Sequence, residues 1–143
     1  MHEFPACYVR LSHRVSYGET DTMGVLYYAE YLHLFERVRG AYIRRCGMSY
    51  ADVEKKGILL PVREAQCRYR APARYDDLVE IRAAINEWGR ASLRFVYEIW
   101  NEDKTKILAE GMTQHALVNR DGRPVPVPDW FRQLCQHAAV ADD

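Results

Sequence analysis

Between about residues 25 and 46 the polar residues Glu30, His33, Arg37, Gly40 and Arg44 recur at steps of three and four. That spacing predicts one helix with a single narrow polar stripe. Nearly all the rest of it is apolar: Tyr28, Tyr31, Leu32, Leu34, Phe35, Val38, Ala41, Tyr42, Ile43. At ~1.5 Å per residue such a helix is about 30 Å long, the width of a small domain. A helix apolar over most of its circumference has to be wrapped, not laid on a surface. Gly47 is placed to end it in a left-handed conformation, and Ser49 to cap a short helix through Lys56.

The rest of the chain supplies a wrapping. Over residues 8–17, Val9, Leu11, His13, Val15 and Tyr17 alternate with Arg10, Ser12, Arg14 and Ser16, the period of a half-buried strand. Residues 58–70, 78–88, 91–100 and 107–118 are rich in β-branched and aromatic side chains and read as four more strands. The turns between them are short, which favours antiparallel neighbours. Pro124, Pro126 and Pro128 end the sheet, and Asp129 is placed to cap a terminal helix over 130–136. The expected class is α+β, one antiparallel five-stranded sheet around a long central helix. A chain of 143 residues is one ordinary domain, here 1–137, with 138–143 as a loose tail.

Composition narrows the function. Twenty Lys+Arg against twenty Asp+Glu give no net charge, and without a basic tract a nucleic-acid partner is not expected. No stretch approaches the ~20 apolar residues of a membrane span, and the first ten residues lack the order of a signal peptide. Cys7, Cys46, Cys67 and Cys135 show no CxxC spacing, and a reducing cytoplasm is the simplest setting. The five histidines lack ligand spacing, so no metal is expected.

The unusual place is the turn from Gly18 to Gly24. Asp21 stands three to five residues before the expected helix start, and Gly24 lets backbone approach closely. The first N–H groups of a helix lack internal partners and carry about half a positive charge. A carboxylate beside them can attack a carbonyl, or activate water, while they polarise its oxygen. The same pattern also describes an aspartate that caps the helix or closes a turn. Arg39 falls on the apolar face, with Glu36 in reach as a structural ion partner, or as a companion in shaping a site.

The run Val15-Ser16-Tyr17-Gly18-Glu19-Thr20-Asp21-Thr22-Met23-Gly24-Val25-Leu26-Tyr27-Tyr28, continued in Phe35-Glu36-Arg37-Val38-Arg39, resembles the signature of the 4-hydroxybenzoyl-CoA thioesterase family. Pro72, the segment Tyr75-Asp76-Asp77-Leu78 and the pair Glu87-Trp88 extend the likeness to about residues 8–133. The resemblance implies a hotdog fold and hydrolysis of an acyl-CoA with no metal or redox cofactor, coenzyme A being part of the substrate. It implies that Asp21 is the catalytic carboxylate and that the Tyr28 backbone N–H polarises the thioester carbonyl. Gly24, Val25 and Tyr31 are expected substrate contacts; Arg90 and Arg123 are either CoA contacts or solvated turn arginines. Many relatives carry histidine where Tyr28 stands, and others a basic cluster where Gly89-Arg90-Ala91 stands. Relatives pair sheets edge to edge, so a homodimer or homotetramer is expected, also because a bare edge strand invites pairing. A thioesterase for acyl carrier protein is the alternative within enzymes, and a non-catalytic acyl-CoA-binding protein the alternative outside them. A hotdog dehydratase would need a histidine near the helix start, where none lies.

Overall fold

The computed structural model describes residues 3–138. The chain runs β1 (Val9–Arg14), a 3-10 turn (Tyr17–Glu19), α1 (Glu30–Cys46), α2 (Tyr50–Lys55), β2 (Val62–Tyr69), β3 (Leu78–Trp88), β4 (Ser92–Trp100), β5 (Ile107–Ala116) and α3 (Asp129–Ala138). This is the expected α+β order. The helix-ending signals act as predicted: Gly47 follows α1 at φ 112°, and the Ser49 hydroxyl caps α2 by accepting the Asp52 N–H at 3.0 Å. Residues 139–143 of the expected tail lie outside the described residues, while Ala138 closes α3.

One boundary moves for a reason that bears on function. The helix expected from residue 25 begins at Glu30. Val25 and Leu26 are instead extended, bridging Arg74 and Thr20, and the Leu26 N–H donates to the Ala73 carbonyl at 2.7 Å. A short apolar run fits either period, and pairing with backbone some fifty residues away decides it.

The strands form one antiparallel sheet in the order β1-β3-β4-β5-β2. Its concave face takes α1. Phe35 stacks on Tyr97 with ring centroids 4.3 Å apart, and Tyr42 meets Phe95 edge-on at 5.2 Å. Leu34, Phe35, Val38 and Ile43 are completely buried, each worth roughly 1.5–3 kcal/mol of transfer free energy. The Phe35 side chain of the helix packs directly on Gly111 of β5, where a Cβ would strike the Phe35 ring and lie 2.6 Å from the Gln66 carbonyl oxygen. The wrap stops short of one flank. Leu32 keeps 44% of its surface exposed, and along edge strand β2 only Cys67 is even half-buried.

Candidate active site

The segment from Val15 to Tyr28 is pinned backbone to backbone against residues 73–77. Val15 donates to Asp77 and Asp76 to Val15, both at 2.9 Å, and Tyr75 donates to Gly24 at 3.3 Å. Gly24 sits at φ 79°, a left-handed conformation that a side chain would strain. Asp21 closes the loop from inside. Its N–H donates to the Val25 carbonyl and its own carbonyl accepts the Gly24 N–H. Carboxylate Oδ1 accepts the N–H groups of Met23 (2.9 Å) and Val25 (3.3 Å). The turn-closing use of Asp21 is therefore real, and it occupies one carboxylate oxygen. Oδ2 accepts no hydrogen bond among the described residues.

Asp21 precedes α1 by nine residues rather than three to five, because residues 25 and 26 are extended. The turn entering the helix starts earlier than the helix proper: Glu30 donates to the Tyr27 carbonyl and Tyr31 to that of Tyr28. The N–H groups of Tyr28 and Ala29 precede the first of these bonds and have no helical acceptor. The Tyr27 phenol is raised in pKa by its hydrogen bond to Tyr28, by the charge of Tyr28, by slight desolvation and by the Asp21 carboxylate. The carboxylate is thus within electrostatic reach of the Tyr27 hydroxyl, one residue before Tyr28.

A second set of side chains backs this loop. His13 Nε2 is 2.9 Å from the Glu19 carboxylate, which also accepts the Ser16 N–H at 2.8 Å. Burial alone would raise the Glu19 pKa, but the Ser16 N–H and His13 outweigh it and hold the carboxyl below its ordinary range. His13 Nδ1 in turn lies 2.8 Å from Arg37 on α1. Sequence reasoning missed this triad. Its one signal was His13 on the apolar side of the β1 alternation, where a polar group needs a partner.

Val25 is half-buried beside Asp21 and Gly24 is exposed at the loop apex, whereas Tyr31 is buried with its ring edge-on to Tyr69 at 4.8 Å. Tyr69, another residue not foreseen, donates its hydroxyl to the Tyr28 carbonyl at 3.0 Å and so fastens β2 to the helix entrance. From there a groove of about 420 Å³ follows α1 and β2 past Leu32, His33, Glu36, Arg39, Val62, Ala65 and Thr113. Tyr17, expected on the apolar side, is 79% exposed because the strand ends at Arg14 and the 3-10 turn rotates the chain.

The expected Glu36–Arg39 pair does not form. Glu36 lies 3.6 Å from His33, and Arg39 donates to the Tyr97 hydroxyl at 3.0 Å. Beyond it Tyr97, Thr113, His115 and the Leu60 carbonyl are joined in series. Burial pushes the His115 pKa down to about 4, so the imidazole is neutral near pH 7. With Nδ1–H donated to the Leu60 carbonyl, Nε2 accepts from Thr113, and every proton in this chain then points one way, from Arg39 toward Leu60. Sheet geometry brought Tyr97 under the helix, and no spacing along the chain could announce it.

Arg90 and Arg123 are exposed and stand at the other end of the sheet. The Arg90 carbonyl accepts the Val127 N–H, and the Ala91 carbonyl that of Leu117, just past β5. Arg123 closes the turn after β5 by pairing with Asn119. The length of β3 lies between these turns and Asp21, about 33 Å at ~3.3 Å per residue. The structure does not bring the arginines to Asp21 within one chain. Among the described residues no group of His, Cys, Asp and Glu is placed to hold a metal, and no helix is long and apolar enough to cross a membrane.

Comparison with known proteins matches residues 15–134 to the model of the thioesterase-like superfamily. The acyl-CoA thioester hydrolase YbgC of Escherichia coli is 36% identical over 92 residues, covering 64% of this chain and 69% of that protein. Among solved structures, a DHNA-CoA thioesterase from Staphylococcus aureus superposes with a TM-score of 0.81 at 30% identity, covering 91% of this chain and 87% of that one. A 4-hydroxybenzoyl CoA thioesterase variant complexed with 4-hydroxybenzoyl CoA gives a TM-score of 0.82 at 22% identity over 91% and 99% of the two chains, a likeness of fold. The five-stranded sheet around α1 is the hotdog arrangement.

Proposed function

The chain belongs to the thioesterase-like superfamily, and on that premise we propose that it is an acyl-CoA thioesterase whose reacting group is Asp21. The observation that carries this reading is the state of the Asp21 carboxylate: Oδ1 is held by two N–H groups of its own loop, leaving Oδ2 unbonded near the entrance to α1. An acyl-CoA carbonyl oxygen laid against the Tyr28 N–H would meet the positive end of the helix as negative charge develops on it. Oδ2 then has two routes. As nucleophile it bonds to the carbonyl carbon, the C–S bond breaks, CoA leaves as thiolate, and water hydrolyses the mixed anhydride. As general base it takes a proton from water, the hydroxide adds to the same carbon, and CoA leaves with a proton. A single turnover in ¹⁸O-water with enzyme in excess separates them: water attacking the aspartyl carbon of the anhydride leaves the label in Asp21 and releases unlabelled acid, whereas the general-base route puts the label in the acid and none in Asp21. Neither route uses a metal or redox cofactor.

A homodimer joined through β2 completes this reading. Exposed apolar side chains gather along that edge: Val62 and Tyr69, each 47% exposed, with Leu32 beside them. Pairing two β2 strands antiparallel about a twofold axis sets the Val62 end of one beside the Tyr69 end of the other. Arg90 and Arg123 of the second copy then fall at the Asp21 end of the first, where CoA phosphates need cations. The chain's zero net charge favours CoA over an acidic acyl carrier protein as the acyl carrier. Four cysteines with no disulfide among them fit a reducing compartment such as the cytoplasm.

Free-thiol release from a panel of aromatic and aliphatic acyl-CoAs tests the reading. Asp21→Asn keeps the size, removes the charge, and is expected to lower kcat by about 100-fold or more while acyl-CoA still binds. Wild type that binds acyl-CoA but releases no thiol would be a binding protein. An unimpaired Asp21→Asn would move the chemistry elsewhere.

A further inference from the structure

Glu19 stands two residues before Asp21 and touches nothing that reacts, yet three bonds converge on it. Its backbone carbonyl accepts the Tyr27 N–H at 2.8 Å, immediately before the N–H assigned to the thioester carbonyl. Its carboxylate accepts the Ser16 N–H at 2.8 Å and lies 2.9 Å from His13 Nε2. His13 Nδ1 meets Arg37 at 2.8 Å. A guanidinium has no lone pair to offer, so Nδ1 must accept, and the imidazole proton sits on Nε2, donated to Glu19. The relay therefore runs in one direction, from Arg37 on α1 through His13 on β1 to Glu19 in the loop. Both inner side chains are largely shielded, His13 at 12% and Glu19 at 18% side-chain exposure, so water competes weakly for these bonds.

We propose that Glu19 is a positioning residue: through His13 and Arg37 it fixes the Asp21 loop on α1, and through its carbonyl it fixes the same loop to the Tyr28 entrance. This rests on the reading of Asp21 as the reacting carboxylate. Loop and helix entrance are the two halves of the reacting geometry, and Glu19 is the residue bonded to both. The loop apex, Thr22 to Gly24, is exposed, and Asp21 is held within the loop, so the anchor at Glu19 sets how the loop, and with it Asp21 Oδ2, is placed against α1. Displacing a reacting group by ~1 Å costs on the order of 100-fold in rate.

The test compares Glu19→Ala, Glu19→Gln and Arg37→Met in the full chain. Glu19→Ala removes the one carboxylate oxygen that takes both bonds and is expected to lower kcat by roughly 10- to 100-fold with KM for acyl-CoA nearly unchanged. Glu19→Gln keeps an oxygen that accepts both bonds, and restores kcat to within about threefold. Arg37→Met cuts the link to α1 from an exposed position, leaves the fold intact, and gives a smaller loss of kcat. Combined with Asp21→Asn, Glu19→Ala adds little, because it acts through that carboxylate. Amide exchange at Met23 and Tyr27 speeds up in Glu19→Ala and recovers in Glu19→Gln, a readout that needs no turnover. Wild-type kcat in Glu19→Ala overturns the proposal, as does a Glu19→Gln variant as slow as Glu19→Ala, which would make the carboxylate itself reactive. Should the wild type release no thiol, the reading of Asp21 falls alone. Exchange unchanged by Glu19→Ala then overturns the clamp independently.

Discussion

The two ends of the sheet are built differently. Where β3 begins, the segments 15–27 and 73–77 are laced backbone to backbone, and Asp21 spends its N–H, its carbonyl and one carboxylate oxygen on the loop that carries it. Where β3 ends, Arg90 and Arg123 ride on turns with their side chains in solvent. The first end is suited to holding one group still to within a fraction of an ångström. The second is suited to catching a flexible, multiply charged partner such as a phosphate tail, which needs reach more than rigidity. The two ends lie about 33 Å apart in one chain. In the proposed dimer they come together, because a second copy reverses the direction of the sheet.

The two ends contain a matched pair of glycines that can break this comparison. Gly24 at φ 79° and Gly122 at φ 80° have the same backbone conformation, with nothing within 4 Å of a Cβ at either. Alanine at each should cost about 1–2 kcal/mol of strain, readable as a drop in Tm. Gly24→Ala should in addition lower kcat by about tenfold or more, since the strain falls on the Asp21 loop. Gly122→Ala should leave kcat alone. Equal kinetic effects would mean that the ends do not differ in function. Next in size, Arg90→Ala and Arg123→Ala should each raise KM for acyl-CoA by about three- to tenfold at constant kcat, consistent with the loss of ~1 kcal/mol of exposed charge pairing. A change in kcat instead would place the arginines in the chemistry. The smallest effect concerns acid. Glu19 is depressed in the folded state by the Ser16 N–H and His13 against the cost of burial, so its contribution to stability is full above its unfolded pKa and fades as pH falls through the folded value. Glu19→Gln should therefore flatten the stability–pH curve below about pH 4.5, in a titration of Tm between pH 6 and 3.

Much of this was legible in the sequence, unevenly. The 78–88 strand was readable to the residue because its β-branched and aromatic content is bounded by turn signals at both ends. The wrapped helix was readable from its narrow stripe, but its start was not, because Val25 and Leu26 obey a pairing with Ala73 and Arg74 that periodicity does not encode. Asp21 and Gly24 were legible as a pair because their chemistry is local. Arg39 was read with the nearest carboxylate along the helix, and its partner came from β4. His13 and Arg37, 24 residues apart, meet only because β1 packs against α1. Residues that act through neighbours in sequence can be read from it; those that act across the sheet–helix boundary need the fold.

The claim that the two ends serve one site from two copies is tested most directly by mixing subunits. Asp21→Asn protein, nearly inactive, is combined with Arg90→Ala/Arg123→Ala protein, active but with a raised KM, under conditions that exchange protomers. In a mixed dimer, one site draws an intact Asp21 from the arginine-deficient copy and intact arginines from the other. The account predicts that a population of sites with wild-type KM appears on mixing. If the KM of the mixture stays at the raised value, the arginines serve the Asp21 of their own chain or none, and the two-copy site is contradicted.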